Sequence, residues 1–406
     1  MSGLRERVVG SVGGLALLLL LVAGAACSGG ESGGSRASAG TVATLEMDAA
    51  HPEPFSFLAS VRELPGGVLL AADPLSQVVL RVDLNAGSAD TLGRVGGGPG
   101  EYRQPDQVFP LPEDSTLLVD LGKGRFVVIA PDVSFLDGQS LAVPREDGPP
   151  LFILPRAVDE RGRLYFTAGG AMGQGPPDSL AVVRYDRATT RMDTVARLWR
   201  PEARVQRSGG NVRMTGIMME ARDDWAVGPD GRVAVLRANG YSVDWHLPDG
   251  TVVTGPQNPF EALPISQADK DAYLEETRSG GLMVMMTSSS SGESSTQMSR
   301  GGGAGGMAPA PEDFQWSEVY PPFRPDWSRV SPAGEVWVHR WLPKAQAQRM
   351  DVFDSAGILR GSVEVPSGSR LIGFGAGTGT GEVAYLVRTD DVGLQWLERH
   401  QVVRRP

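Results

Sequence analysis

The amino-acid sequence predicts an all-β fold: a six-bladed β-propeller with four-stranded antiparallel blades and one insertion that is partly helical and partly of low complexity. Three observations predict it. A short phrase, a turn followed by alternating apolar residues, occurs six times; most copies are evenly spaced; and Gly, Pro and Asp turn formers separate the apolar runs. The copies occupy residues 67–71, 115–119, 162–166, 231–235, 334–338 and 381–385.

The spacing of these phrases matches one propeller blade. Anchored at residues 68, 116, 163, 232, 335 and 382, successive copies lie 48, 47, 69, 103 and 47 residues apart. A unit of roughly 40 to 50 residues is the length of a four-stranded blade. The second unit shows the pattern most clearly. Its predicted strands are 106–111, 116–121, 125–130 and 139–143.

The last unit lacks a fourth strand. It contains three apolar runs, at residues 371–375, 382–387 and 394–398, before the sequence ends at residue 406. A blade without its outermost strand would expose an unpaired edge. Residues 41–45 have the composition of a strand and no neighbour of their own. We therefore predict that they pair with the last blade and close the ring.

The two long spacings indicate insertions. The first covers residues 202–220. The second, at about 263–315, contains Ser266, which can cap a helix over 268–276 whose first turn is acidic. The apolar run 281–286 is too short to cross a membrane, and we expect it to pack on the propeller as a lid; the alternative is a partner-binding patch.

The N-terminus predicts export and lipidation. Residues 1–26 have two arginines followed by a short apolar run, as in a signal peptide. Cys27, the only cysteine, ends a segment that resembles a bacterial lipoprotein processing site, which implies lipidation there; the alternative is cleavage after residue 25, leaving a free thiol. Residues 27–40 are predicted to be a flexible tether. Ser28, by resemblance to sorted lipoproteins, favours the outer membrane of a Gram-negative cell, with the propeller, residues 41–406, on the periplasmic or cell-surface side.

The charge excludes one class of partner. The formal net charge is −10, and the three lysines are far apart in the sequence, at Lys123, Lys270 and Lys344. Nucleic-acid binding requires a concentrated basic surface, and no basic tract is present. We therefore expect no nucleic-acid partner, and contact with a membrane only through the lipid anchor.

The glycine-rich run at residues 93–102, GRVGGGPGEY, carries a family resemblance. A phosphate-binding loop would need Lys and Ser or Thr at the start of a helix, and neither follows here. We interpret the run as a turn joining two blades. Together with the repeat over about 54–399, it resembles the NHL-like and TolB-like six-bladed propellers of bacteria, and more closely a group of exported propeller lipoproteins.

Candidate ligand-binding residues follow from the fold. In a propeller, the loops before each innermost strand, and those joining the second and third strands, converge on one face. Arginine and tryptophan in such loops are typical of recognition surfaces, although the tryptophans could instead pack between blades. The predicted ligand-facing residues are Arg103, Arg156, Trp225, Trp327, Arg329 and Arg370.

The sequence favours binding over catalysis. We expect a binding or scaffolding module for a small molecule, a peptide or an envelope protein, with residues 266–312 as the contact for such a protein, and with no cofactor, metal ligand or catalytic residue. The alternative is a calcium-dependent hydrolase or lactonase in the channel, since resemblance to six-bladed lactonases implies calcium held by Glu, Asn and Asp. The four asparagines give no matching set, the four histidines lack chelating spacing, and no G-x-S-x-G motif occurs.

Overall fold

A computed structural model describes residues 40–143, 150–168, 179–201, 204–208, 211–215, 217–280, 282–288, 294–300, 314–377 and 381–405. The predicted signal peptide, Cys27 and all of the tether except Gly40 lie outside these residues. Six four-stranded antiparallel sheets form the fold, which confirms the predicted propeller. We number these sheets as blades 1 to 6 and their strands from the axis outwards.

Blades 1 to 5 each use four consecutive strands. Blade 1 has Ser60–Glu63, Leu69–Asp73, Val78–Asp83 and Ser88–Leu92, and blade 2 has Pro105–Pro110, Thr116–Asp120, Arg125–Ile129 and Phe135–Ser140. Blade 3 has Ala157–Val158, Leu164–Ala168, Ser179–Asp186 and Arg191–Trp199, and blade 4 has Asp224–Val227, Val233–Arg237, Ser242–His246 and Val252–Thr254. Blade 5 has Arg329–Val330, Val336–His339, Gln348–Phe353 and Leu359–Val365.

Blade 6 joins the two ends of the described chain. Its strands are Ser369–Gly375, Val383–Thr389, Gln395–Arg404 and, outermost, Ala43–Ala50. The N-terminal strand is antiparallel to its neighbour, with Ala43 opposite Arg404 and Ala50 opposite Glu398. The predicted closure is therefore confirmed, and the closing strand continues to residue 50. An ion pair with the buried Arg399 reinforces it, because the more exposed Asp48 accepts a 3.0 Å hydrogen bond from Nε of Arg399.

The apolar core lies between the blades. Each first strand contacts the first strand of the next blade, and that of blade 6 contacts that of blade 1, so the ring is complete. A separate cluster of buried apolar residues fills each of the six interfaces. Between blades 3 and 4, for example, Tyr165 and Val182 pack against Trp225. Both faces of most sheets are covered, which explains why polar and apolar residues alternate imperfectly along the strands.

The outermost strand of blade 2 begins earlier than the sequence predicts. It covers Phe135–Ser140, not 139–143. The carboxylate of Asp132 accepts hydrogen bonds from the backbone N–H and the hydroxyl of Ser134, and Val133 has a positive φ of 61°. This tight turn reverses the chain at once, so pairing starts directly after it. Ala142–Val143 instead pairs with Leu151–Phe152 in a separate two-stranded sheet.

The glycine-rich run joins blades 1 and 2, as predicted. Arg94–Val95 pairs in parallel with Glu101–Tyr102. The carboxylate of Glu101 accepts hydrogen bonds from the backbone N–H of Gly98 at 2.6 Å and from Nε of Arg94 at 2.7 Å. The loop's own carboxylate thus takes the N–H group that a phosphate-binding loop would direct at its ligand.

The second insertion contains the helix Gln267–Gly280, as predicted from Ser266. Ser266 and Asp269 cap it reciprocally, because the Ser266 hydroxyl donates to the Asp269 carboxylate at 2.6 Å and accepts from the Asp269 N–H. The other elements of the insertions are short two-stranded sheets: Arg204–Ser208 with Asn211–Thr215, Ile217–Met218 with Gln315–Trp316, and Leu282–Ser288 with Ser294–Arg300. The side chains of residues 281–286 lie outside the described residues, so the lid assigned to them stays a prediction.

Candidate ligand site in the axial cavity

A large cavity lies inside the ring of first strands. Its volume is about 1920 Å³, and residues from all six blades or the segments leading into them line it. The lining includes loops before a first strand, such as residues 324–327, and loops between second and third strands, such as residues 340–342, as the sequence predicts for one face of a propeller. Residues of the first strands themselves and of the insertion helix complete it. One representative from each blade, in order, is Ser60, Asp106, Ala157, Arg222, Arg329 and Arg370.

Four of the six predicted ligand-facing residues line this cavity, namely Arg156, Trp327, Arg329 and Arg370. Trp225 does not, because it is 1% exposed and packs between blades 3 and 4, which is the alternative considered from the sequence. Arg103 also lies away from the cavity. Its backbone N–H donates to the carboxylate of Asp120. Its guanidinium lies close to Gly97, beside the junction of blades 1 and 2.

Arg156 is neutralised by two carboxylates. Its guanidinium makes a two-pronged contact with Asp224, with Nη2 3.0 Å from Oδ2, and its Nη1 lies 3.0 Å from Oδ1 of Asp326. Burial acts to lower the pKa of Arg156, but the charges of Asp224 and Asp326 outweigh it and raise the pKa. Beneath it, the Trp225 ring centroid lies 5.1 Å from Cζ. Arg156 is therefore a fixed part of the cavity wall.

Arg329 has a different set of partners. Its Nη1 donates to the carbonyl oxygens of Asp326 at 2.9 Å and Ser328 at 2.8 Å, and its Nε points to the carbonyl of Ile372 at 3.5 Å. Within the part of the chain that the structure describes, no carboxylate oxygen lies within 4.0 Å of this guanidinium. Burial, together with the nearby charge of Arg156, lowers the pKa of Arg329 to about 10. Among the described residues, its positive charge therefore has no direct carboxylate partner.

Trp327 organises the cations beside it. Cζ of Arg324 lies 3.8 Å from the ring centroid, and that of Arg370 lies 5.9 Å away. His339 packs against the same ring edge-on, with the centroids 4.8 Å apart. Arg370 also donates from Nη2 to the carbonyl of Leu58 at 2.9 Å, which ties blade 6 to the segment before blade 1. We call the two guanidinium groups of Arg324 and Arg370 around the Trp327 ring the positive wall. Their distances from the ring are those of cation–π contacts.

The insertion helix packs on the cavity rim. Glu276 pairs with Arg324 at 2.5 Å, and Tyr273 packs against Trp341, with ring centroids 5.8 Å apart. Helix residues Asp269, Tyr273 and Glu276 are among those lining the cavity. Sequence reasoning identified this helix but not its position, and it missed Arg324, His339 and Trp341. The Arg-Pro pair directly after the insertion was the available signal for Arg324.

His339 is buried as the neutral imidazole. It is 3% exposed, and its Nδ1 lies 2.9 Å from the Arg340 carbonyl, to which the neutral ring can donate. Burial, with Arg324 nearby, lowers the pKa of His339 from 6.5 to about 4. The charged groups facing it are Arg324 and Arg370. No carboxylate is among the groups that shift its pKa, and the hydrogen bonds with the backbone of Arg340 and Ser369, which favour the charged form, do not offset burial.

We expect His339 to make the fold sensitive to acid. Because its folded pKa lies below the unfolded value of 6.5, the unfolded chain takes up the proton first. Its stability contribution is complete above about pH 6.5 and falls as the pH decreases towards 4. Between pH 7 and pH 5 the expected loss is about 2 kcal/mol. Urea unfolding of the wild type and of His339→Gln at both pH values measures it: the variant should lose about 2 kcal/mol less than the wild type, and equal losses would contradict the assignment.

No group of three or more His, Cys, Asp or Glu side chains placed to hold a metal ion occurs among the described residues. The carboxylates near the centre of the positive wall are instead paired with arginines, as Asp224 and Asp326 are. The cavity wall near Trp327 and Arg329 also contains the guanidinium groups of Arg324 and Arg370. Over the same described part, no helix is long and apolar enough to cross a membrane.

Comparison with models of known protein families gives no match, and neither does comparison with curated proteins. Solved structures do match. A member of the DUF4221 family from Bacteroides vulgatus is 8% identical, with a TM-score of 0.45 over 90% of this chain and 99% of that one. A gluconolactonase from Xanthomonas campestris is 10% identical, with a TM-score of 0.40 over 90% and 99%. A Bacteroides fragilis protein described as exported is 13% identical, with a TM-score of 0.42 over 90% and 95%. These likenesses concern the fold alone.

Proposed function

We propose that this protein is an extracytoplasmic binding module that holds a small polar molecule in its axial cavity, and that it binds this molecule without transforming it. The cavity itself carries the proposal. Its volume of about 1920 Å³ exceeds that of ordinary small-molecule pockets, which run to roughly 1,000 Å³, so a small solute fits together with water. Arginines and aromatic side chains in its wall supply directed polar contacts and large contact area.

The position of the insertion helix favours a small ligand over a protein partner. Tyr273 and Glu276 of this helix contact Trp341 and Arg324 on the rim, so part of the mouth is already covered by the chain itself. A folded partner would have to displace these contacts, whereas a small solute can pass beside them. We therefore do not propose protein scaffolding. It is the alternative that the binding experiment below must be able to reveal.

The proposed location follows from the N-terminus. A signal peptide at 1–26, a lipid on Cys27 and a tether over 27–40 would hold the propeller on the periplasmic or cell-surface side of a membrane, the outer membrane in a Gram-negative host. Such a position suits a module that meets small solutes outside the cytoplasm.

Equilibrium dialysis against a defined library of polar metabolites, read by mass spectrometry, tests the proposal. We expect the wild type to retain library members unchanged, and Thr167→Trp, which places a bulky side chain in the cavity wall of blade 3, to lose those that bind beside it. Thr167 is exposed and lines the cavity. The matched control is Thr254→Trp, at an exposed position on the outermost strand of blade 4.

Each outcome of this experiment has a meaning. Retention by the wild type and Thr254→Trp, with loss in Thr167→Trp, supports binding in the cavity. Failure of the wild type to retain any member overturns the proposal in favour of a scaffold. Conversion of a retained compound, in the presence or absence of added calcium, would overturn it in favour of an enzyme.

A further inference from the structure

We infer that the ligand carries an oxyanion, a carboxylate or a phosphate group, and that Arg329 binds it within the axial cavity. This inference rests on the proposed function and specifies its ligand class. It starts from the charges in the cavity wall. Arginines there are mostly matched by carboxylates: Arg156 by Asp224, Arg222 by Asp326, Arg324 by Glu276, Arg340 by Asp351 and Arg388 by Glu398.

Arg329 has no such carboxylate partner among the described residues. Its three hydrogen-bonding contacts are backbone carbonyls, which are neutral. These contacts involve Nε and Nη1, so within the described chain Nη2 keeps its donor capacity. A guanidinium offers five N–H donors in a planar fork, and carboxylate or phosphate oxygens match that fork in pairs. A guanidinium in a cavity wall with donors still available on one nitrogen is suited to such a ligand.

The surroundings of Arg329 strengthen the demand for an anion. Removal from bulk water and the neighbouring Arg156 charge both disfavour its charged form. The carboxylates of Asp224 and Asp326, which partly offset this, are already engaged with Arg156. An incoming oxyanion would supply the missing charge where the local dielectric makes charge-assisted hydrogen bonds strong.

Arg370 gives the site a second cation. Arg329 opens the first strand of blade 5, and Arg370 lies in the first strand of blade 6, which is its neighbour in the ring. The contact from Arg329 to the carbonyl of Ile372 joins the two strands at this level. Both residues line the same cavity. The ring of Trp327, just before blade 5, lies 5.9 Å from Cζ of Arg370. A ligand that extends from Arg329 towards blade 6 would therefore approach a second guanidinium.

A structural role is the competing interpretation, because Arg329 also anchors the loop before blade 5 through the carbonyls of Asp326 and Ser328. Two variants separate the roles. Arg329→Gln removes the charge, and Arg329→Lys keeps it but loses the fork. If Arg329 only anchors the loop, both variants should impair binding equally. If it binds an anion, the lysine variant should retain more of the affinity.

The test is isothermal titration calorimetry at low ionic strength with inorganic phosphate, succinate and the neutral analogue succinamide. We expect the wild type to bind at least one anion and not succinamide, with affinity falling by roughly ten- to hundredfold in Arg329→Gln. The control Arg191→Gln removes the same charge from a side chain that is 74% exposed on the outermost strand of blade 3, and should change affinity less than twofold.

The two probes also identify the source of the anion, because binding of phosphate alone indicates a phosphate ligand and binding of succinate alone a carboxylate. Binding of succinamide as tightly as succinate, or unchanged affinity in Arg329→Gln, overturns the inference. The library experiment separates it from the proposed function. If the retained compounds are all neutral, the cavity binds a ligand but the anion assignment is wrong. If nothing is retained and no anion binds, both fail.

Discussion

Replacing Asp224 by asparagine is expected to lower the free energy of unfolding by about 3 kcal/mol. The Asp224 side chain is 4% exposed and neutralises Arg156, which is itself largely buried. It also accepts the backbone N–H of Asp326 at 2.9 Å, so one carboxylate connects the first strand of blade 4 to the loop before blade 5. Asparagine keeps the shape but removes the charge, and its amide N–H₂ would face donors. Leaving a buried cation with only an exposed partner, Asp326, removes most of its compensation, and such changes are among the costliest in a protein.

Asp326 provides a matched control for this prediction. It contacts the same guanidinium at 3.0 Å, but its side chain is 64% exposed. Its backbone has a positive φ of 68°, which asparagine tolerates, so Asp326→Asn adds no strain. We expect it to cost less than about 1 kcal/mol, as exposed ion pairs do. Urea unfolding with an unchanged denaturant slope measures both variants. Equal costs would show that burial does not determine the contribution of this ion pair.

The fold was predictable because it repeats. Six copies of one apolar phrase fix the number of blades, and the missing fourth strand of the last blade makes residues 41–45 the natural candidate for closure. Burial on both faces makes the strands apolar without marking their ends. That is why the outermost strand of blade 2 was misplaced: a single Asx turn at Asp132 decides where pairing begins.

The site was predictable only in part. Loop position correctly placed Arg156, Trp327, Arg329 and Arg370 at one cavity, because the propeller brings these loops together, and their contact with a ligand stays a prediction. It could not show which tryptophan packs between blades, since that depends on the side of the strand that each ring occupies. Nor could it show which arginine lacks a carboxylate. That property depends on pairs far apart in sequence, such as Asp224 with Arg156, and on where the insertion helix packs.

Replacing Asp351 by alanine is expected to have the largest effect of any single carboxylate, about 4 kcal/mol of unfolding free energy. One oxygen of this buried side chain accepts the Tyr241 hydroxyl at 2.5 Å and Nη1 of Arg340 at 3.2 Å. Tyr241 is 2% exposed and Arg340 is 5% exposed. Burial and the Asp351 charge both raise the pKa of Tyr241, so its hydroxyl stays protonated and donates. The substitution leaves two buried donors, the Tyr241 hydroxyl and the charged Arg340 guanidinium, without this acceptor.

The same contact supports the cavity, because Arg340 also donates from Nε to the Pro322 carbonyl at 2.6 Å, where the chain returns from the insertion. Tyr241→Phe removes one donor and should cost about 1 kcal/mol. In that background Asp351→Ala should cost measurably less than in the wild type, since only Arg340 is left unpaired. Asp193→Ala is the control: Asp193 also pairs with two arginines, but at the exposed outer strand of blade 3, and less than about 1 kcal/mol is expected. An Asp351→Ala cost as small as that of Asp193→Ala would mean that Tyr241 and Arg340 find water or other acceptors, and that the interface of blades 4 and 5 does not depend on this carboxylate.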